Sequence, residues 1–381
     1  MTTQCQDVTA HNRMSYMIQT KVVKFGGTSL ASAQNILMAK KIIDADPKRR
    51  FIVVSAPGRI DASAEGKKIT DLLIETHTQL CYSDESKSLE KVAKRFEDIS
   101  AGLGVDISQE LERTLDEIGI NRCKRDFVVS RGEYLMAILM AKLLDFRFVD
   151  ASRLIILRPD SRVDMTATKI AFEDFKRTLG TRGVVVGGFY GRDASGRIKT
   201  MKRGGSDYSG AIAASLLKAS EYENFTDVGG VQTANPSIVN ETKTIHHLDY
   251  NTLHKLSLAG ASVIFPDCLP LLKRHKIPLT IDNTMNPFRT FTSITNKQAT
   301  CPFFSITYET KQNISKHLVE IFCIFHRIPI DFEDLRKTLC GHDIVLSSFI
   351  IKPKQSGEFT LFCETENLKD ILNKLHARLL Y

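Results

Sequence analysis

No run of apolar residues reaches the roughly 18 needed to cross a bilayer, so no membrane-spanning helix is expected. The first twenty residues, MTTQCQDVTAHNRMSYMIQT, lack an apolar core and a small-residue cleavage site. They do not read as a secretory signal, and residues 1–19 are expected to form a polar extension. The eight cysteines include no CxxC pair, which indicates neither a zinc site nor a disulfide framework. Reduced thiols in a cytoplasmic protein are the plain expectation. The ten histidines form no ligand-spaced pair on a plausible helix, and no metal site built from side chains is expected. No Ser/His/Asp or Cys/His arrangement offers a nucleophile, and no segment is of low complexity. The net charge of +8 comes with lysines and arginines spread along the chain and without a nucleic-acid motif. It reads as a solvated surface with a few cations for substrate phosphates, not as a nucleic-acid partner.

What is present supports two domains, or three, in 381 residues of which 43% are apolar. Buried-strand patterns run over Thr20–Phe25, Phe51–Ser55, Phe127–Ser130, Val184–Phe189 and Leu279–Asp282. Helical spacing of apolar residues covers Ser29–Ile43, parts of 61–120, Tyr134–Leu144 and Tyr208–Ala219. Strands alternating with helices predict a mostly parallel sheet covered on both faces. Ligands of such sheets bind beyond the carboxyl ends of the strands. A polar, turn-rich stretch over 283–299 predicts a boundary, giving domains 1–19, 20–297 and 298–381. The last is read as a small α+β module in which Ile314–Phe325 supplies a helix.

Two stretches carry the chemistry. Lys24–Ser29 reads KFGGTS, and Lys202–Gly210, about 180 residues later, reads KRGGSDYSG. Each is a glycine pair beside a basic residue, followed by hydroxyl residues and a helical pattern. Helix starts present unpaired N–H groups and favour anions. Two such loops fit one site that grips anionic ligands from both sides, as phosphoryl transfer requires. Gly26, Gly27 and Thr28, and Gly204 and Gly205, would let the backbone approach phosphates closely. Lys24 would neutralise charge on a transferring group. Arg203 would grip a carboxylate bidentately, and Asp207 would hold a lysine or a metal-bound water. Each loop alone also reads as a strand-to-helix turn with a surface lysine or a helix cap. Glu133 is expected to open a helix, where the dipole stabilises an acid in any case. Thr226-Asp227 ends a strand, where an ordinary turn is the plain alternative.

Taken in order, the motifs resemble those of the aspartate kinases of the amino-acid kinase family. They are KFGGTS at Lys24–Ser29, VSA at Val54–Ala56, ITDLL at Ile69–Leu73, SRGE at Ser130–Glu133 and GFYG at Gly188–Gly191. RGGSDYS at Arg203–Ser209, TDVGGV at Thr226–Val231, LAGASVIFP at Leu258–Pro266 and NTMNP at Asn283–Pro287 complete the set. The resemblance spans roughly residues 20–295, and the tail resembles a shortened ACT-type regulatory region.

The resemblance implies an αβα sandwich with a mostly parallel sheet and a small α+β ACT-like domain. It implies transfer of the γ-phosphoryl of ATP, with Mg2+, to the β-carboxylate of L-aspartate, the first step toward lysine, diaminopimelate, threonine and methionine. Lys24 and Asp207 would be catalytic. Thr70, Glu133, Phe189, Arg203 and Ser206 would hold aspartate, with Arg203 on the α-carboxylate and Glu133 on the ammonium. Gly26, Gly27, Thr28, Gly204, Gly205, Thr226 and Asp227 would serve the nucleotide. The reacting carboxylate is ionised at neutral pH and needs no general base. A homodimer through the C-terminal region, with lysine as effector, is also implied. The nucleotide side departs from the family pattern. Gln232, Asn235 and Ser237 stand for its tyrosine, aspartate and arginine, Ser262 for its lysine and Phe265 for its histidine. Lys199 and Lys202 are cations that would compensate from another direction. Two other readings stay open: a regulatory paralogue without strong catalysis, and a kinase of this fold for another small acid.

Overall fold

The computed structural model describes residues 20–60, 66–202, 204–261, 263–299, 301–310, 318–331, 333, 337, 344–352, 356–364 and 368–380. The expected extension at 1–19 lies outside them. The chain forms two compact units, one of residues 1–227 and 282–287, the other of 228–281 and 288–381. The expected boundary at 297/298 falls within the second.

In the first unit five parallel strands lie in the order β3-β4-β2-β1-β7. They are β1 (Lys21–Phe25), β2 (Arg49–Val54), β3 (Arg147–Val149), β4 (Val184–Gly187) and β7 (Glu221–Thr226). Their near-continuous burial follows from cover on both faces. One face packs on α1 (Ala33–Asp44), α2 (Ile69–Leu80), α3 (Lys87–Leu103), α4 (Ser108–Ile120) and α5 (Arg125–Leu144). Val23, Phe25, Ile52, Val54 and Phe225 enter that core with Ile36, Leu73, Phe96, Ile118 and Leu139. Full burial of each such side chain contributes about 1.5–3 kcal/mol. On the other face Phe51 meets Phe172 and Phe175 of α6 (Met165–Arg177), and α7 (Gly205–Leu217) lies on β1, β2 and β7. A short antiparallel hairpin, β5 (Tyr190–Arg192) with β6 (Ile198–Thr200), precedes α7.

Strand parity places the first candidate residue. Val23 and Phe25 face the large helical core, so Lys24 between them points to the α7 face. That is the face from which the second glycine loop approaches.

Two expectations are corrected here. Phe127–Ser130 is not a strand leading into a helix; it belongs to α5, which starts at Arg125. A short apolar run cannot be told from one turn of a helix buried on every side, and α5 is such a helix. Glu133 therefore sits in its third turn and not at its start. The second glycine loop follows the β5–β6 hairpin, not a strand of the sheet.

In the second unit β8 (His247–Asp249) pairs in parallel with β10 (Phe291–Thr295), beside α8 (Tyr250–Leu258) and α9 (Cys268–His275). Strand β9 (Leu279–Asn283) leads back toward residues 282–287. The tail is a four-stranded antiparallel sheet in the order β11-β12-β14-β13, with α10 (Leu368–Leu380). Its strands are β11 (Phe303–Thr310), β12 (Leu318–His326), β13 (Ile344–Lys352) and β14 (Ser356–Glu364). The helix expected over Ile314–Phe325 is corrected: residues 318–326 are a strand, and 314–317 lie outside the described residues. Val319, Ile321, Cys323 and Phe325 are buried on one face, so a period of two decides the segment. The tail core also takes in Ala234 and Val239, and the Ile306 N–H donates to Thr233 O at 2.8 Å. Among the described residues no helix is long and apolar enough to cross a membrane.

Candidate active site

Lys24 is buried in the second-last position of β1, and its Nζ lies 2.6 Å from Asp207 Oδ1. Asp207 stands in the first turn of α7, whose N-terminus favours negative charge. The helix starts after Gly204, whose φ of 83° is a left-handed conformation that glycine adopts at no steric cost. The Tyr222 hydroxyl donates to Asp207 O at 3.0 Å and fixes this turn to β7. One ion pair thus joins the two glycine loops.

The first loop is tied from several sides. The Gly26 N–H donates to Phe225 O at 3.0 Å and the Gly58 N–H to Gly27 O at 2.7 Å. Asn35 Nδ2 donates to Thr28 O at 2.8 Å. Ser29 Oγ and Thr284 Oγ1 are 2.6 Å apart. The hydroxyls of Thr226 and Thr28 donate to Asp227 at 3.1 and 3.4 Å, one to each carboxylate oxygen. The first glycine loop and Thr226-Asp227 are therefore neighbours, as the strand pairing of β1 with β7 requires.

Thr70 lies in the first turn of α2, half-buried. Helices α2 and α5 meet where Gly132 packs; a Cβ there would stand 2.8 Å from Ala56 Cβ and 2.9 Å from Ile69 Cγ2. This contact brings Thr70 and Glu133 to the same loop, 55–58. Glu133 is buried, and its Oε2 accepts no hydrogen bond from any described residue. Burial pushes its carboxyl up to about 8, against the opposing backbone N–H of Ala56. A cation placed beside this carboxyl would favour its ionised form.

Phe189 takes a φ of 74°, with its N–H donating to Ser209 Oγ at 3.2 Å. Gly188 lies against Ser206, where an added Cβ would be 2.8 Å from Ser206 Cα. The turn at Phe189 and the start of α7 are thus pressed together. Arg203 and Ser262 lie outside the described residues.

Sequence reasoning placed Lys24, Gly26, Gly27, Thr28, Thr70, Glu133, Phe189, Gly204, Gly205, Ser206, Asp207, Thr226 and Asp227 in the domain 20–297, and all of them fall in the first unit. It missed Arg95, whose Nη2 donates to Gly58 O at 2.9 Å and Ala31 O at 3.3 Å and so holds the loops beside Gly27. Nothing in the local sequence of α3 marks this residue. Lys199 does not stand free toward a nucleotide: its Nζ pairs with Asp126 Oδ2 at 3.1 Å.

A family model described as the amino acid kinase family matches residues 19–283. The chain belongs to the amino acid kinase family. Aspartokinase 3 of Bacillus subtilis is 34% identical over 295 residues, covering 73% of this chain and 64% of that protein. The chain thus spans less than two thirds of the length of this curated relative. Among solved structures, Escherichia coli aspartokinase III in complex with aspartate and ADP (R-state) superposes with a TM-score of 0.79 at 20% identity. It covers 95% of this chain and all of that one. The same enzyme with lysine and aspartate (T-state) gives 0.74 at 20% identity, with the same coverage. At these identities the structures establish a shared fold.

In this member of the family, residues that depart from the family pattern make local hydrogen bonds. Gln232 Nε2 donates to Thr244 Oγ1 at 2.9 Å, and Asn235 Oδ1 accepts from the Ser237 N–H and hydroxyl at 3.0 and 2.8 Å. Gln232 and Asn235 line a cavity of about 310 Å3 in the second unit, together with Gly230, Gly260, Ala261 and Tyr308.

Proposed function

We propose that the protein is an ATP-dependent aspartate kinase. A β-carboxylate oxygen of L-aspartate attacks the γ-phosphorus of ATP, the bond from that phosphorus to the bridging oxygen breaks, and ADP and 4-phospho-L-aspartate result. No proton need move at the attacking group. The observation that carries the reading is the 2.6 Å pair of Lys24 with Asp207. It holds an ammonium at the junction of two glycine loops, where charge develops during transfer. Glu133 takes the substrate ammonium, Arg203 the α-carboxylate, and Thr70, Phe189 and Ser206 line the substrate. Gly26, Gly27, Thr28, Gly204 and Gly205 receive the phosphates, and Thr226 and Asp227 border the nucleotide. Asp207 is engaged by Lys24 and Asp227 by two threonines, so Mg2+ is assigned mainly to phosphates and water. The likeness to enzymes that bind aspartate and ADP supports the substrate choice.

The test is hydroxylamine trapping. With MgATP and L-aspartate the folded protein forms a hydroxamate whose yield depends on both substrates. No hydroxamate at saturating concentrations excludes the kinase and favours the regulatory paralogue. Hydroxamate with another small acid, but not with aspartate, moves the substrate assignment and keeps the fold's chemistry.

Lysine is proposed as the effector, acting through a homodimer formed by the ACT-like tail. Ser305 of the tail is buried, and its hydroxyl donates to Gln232 O at 3.0 Å. Millimolar lysine is expected to lower the rate of hydroxamate formation, because an effector acts through its differential affinity for active and inactive states. Equal rates with and without lysine leave the tail a structural element.

A further inference from the structure

Asp126 sits in the first turn of α5, seven residues before Glu133. Seven residues are about two helical turns, so both side chains project from one face of α5, about 10.5 Å apart along its axis. Asp126 reaches out of its helix. Its Oδ1 accepts from the Thr200 hydroxyl at 2.7 Å, and its Oδ2 pairs with Lys199 Nζ at 3.1 Å. Thr200 is buried and lies opposite Tyr190 in the β5–β6 hairpin. The next residue, Met201, donates its N–H to Phe189 O at 2.7 Å. Gly188 in turn packs on Ser206, at the start of α7. A continuous set of contacts therefore runs from the helix that carries Glu133, through Asp126 and the hairpin, to Phe189, Ser206 and Asp207.

We infer that Asp126 is a positioning residue that fixes the separation between Glu133 and the turn bearing Phe189 and Ser206, and thereby selects the length of the amino-dicarboxylate substrate. The inference rests on the aspartate kinase reading for its substrate and on the hairpin contacts for its geometry. A carboxylate at the start of a helix is stabilised by the dipole whatever it touches. The two bonds to one hairpin are what a simple dipole partner would not need. Both oxygens of Asp126 are engaged, so alanine at this position removes the tether and asparagine keeps one acceptor for Thr200.

The experiment compares Asp126→Ala, Asp126→Asn, Thr200→Val and Thr200→Ser with the wild-type full chain. Asp126→Ala and Thr200→Val are expected to raise KM for aspartate about tenfold, the scale of a lost charge-assisted hydrogen bond. KM for ATP stays within about twofold, and the preference for aspartate over glutamate falls. Thr200→Ser and Asp126→Asn recover most of the loss. Amide hydrogen exchange at residues 198–201 quickens in both disruptive variants without any substrate. If Asp126→Ala fails to fold, Thr200→Val carries the same readouts with the helix untouched. Unchanged discrimination, or equal rises in both Michaelis constants, overturns the positioning role. Unchanged exchange at 198–201 overturns the tether itself. A wild-type chain inactive on aspartate but showing the exchange difference would sink the substrate reading and leave the tether standing.

Discussion

Lys24→Ala lowers kcat by about 10²–10³-fold, the loss seen when one donor to a developing charge is removed, and leaves KM for aspartate within about threefold. Lys24 points to the α7 face because of strand parity, and Asp207 holds its ammonium at the meeting of the two glycine loops. In the proposed reaction its charge would act most strongly on the transferring phosphoryl group and weakly on bound aspartate. The variant also removes the Lys24 ammonium from Asp207 at the start of α7, so folding is checked by circular dichroism and thermal melting. Asp207→Asn should lower kcat in the same direction, since the ammonium loses its anchor. Initial rates against both substrates decide the matter. A change confined to KM for ATP would assign Lys24 to ground-state nucleotide binding.

Glu133→Gln raises KM for aspartate by roughly 10–100-fold, since a hydrogen bond to a charged group contributes about 1.5–3 kcal/mol. The pH dependence is the more specific part. Burial pushes the Glu133 carboxyl up to about 8, so the free protein holds it largely protonated at neutral pH. The substrate ammonium favours the ionised form. Binding of aspartate below pH 8 therefore releases a proton, and affinity rises with pH and levels off near 8. Calorimetry in buffers of different ionisation heat measures the proton. The glutamine variant binds weakly and with no such release. The same shift acts on stability with a definite sign. The folded protein binds this proton more tightly than the unfolded chain, whose value is near the ordinary 4.5. Glu133's contribution is therefore fully present below about 4.5 and is lost as pH rises through about 8. Wild-type protein should lose melting temperature over that window relative to Glu133→Gln. A flat difference between the two would show that the carboxyl is not neutralised by burial.

The sequence by itself determined the glycine loops, the identity of the charged residues beside them and the parallel-sheet architecture. These depend on local properties: glycine pairs at strand-to-helix turns, apolar runs of strand length, and hydroxyl and acidic residues at helix starts. Lys24, Asp207 and Glu133 could all be named from such patterns. Only the tertiary structure decided what surrounds each one. Glu133 read as a helix-opening acid because Phe127–Ser130 looked like a strand. Burial on every side of α5 removes the 3.6-residue signal and hides the true helix start at Arg125. The segment 318–326 failed in the opposite sense, since its period of two was masked by a longer apolar stretch and emerged through pairing with β11 and β14. The tether from Asp126 to Thr200 joins residues 74 positions apart, and the grip of Arg95 on Gly58 joins residues 37 apart. Neither leaves a local trace, because a polar side chain on a helix looks the same in sequence whether it meets water or a distant backbone. Long-range pairing is set by how the packed core brings these surfaces together, and that packing exists only in the folded chain.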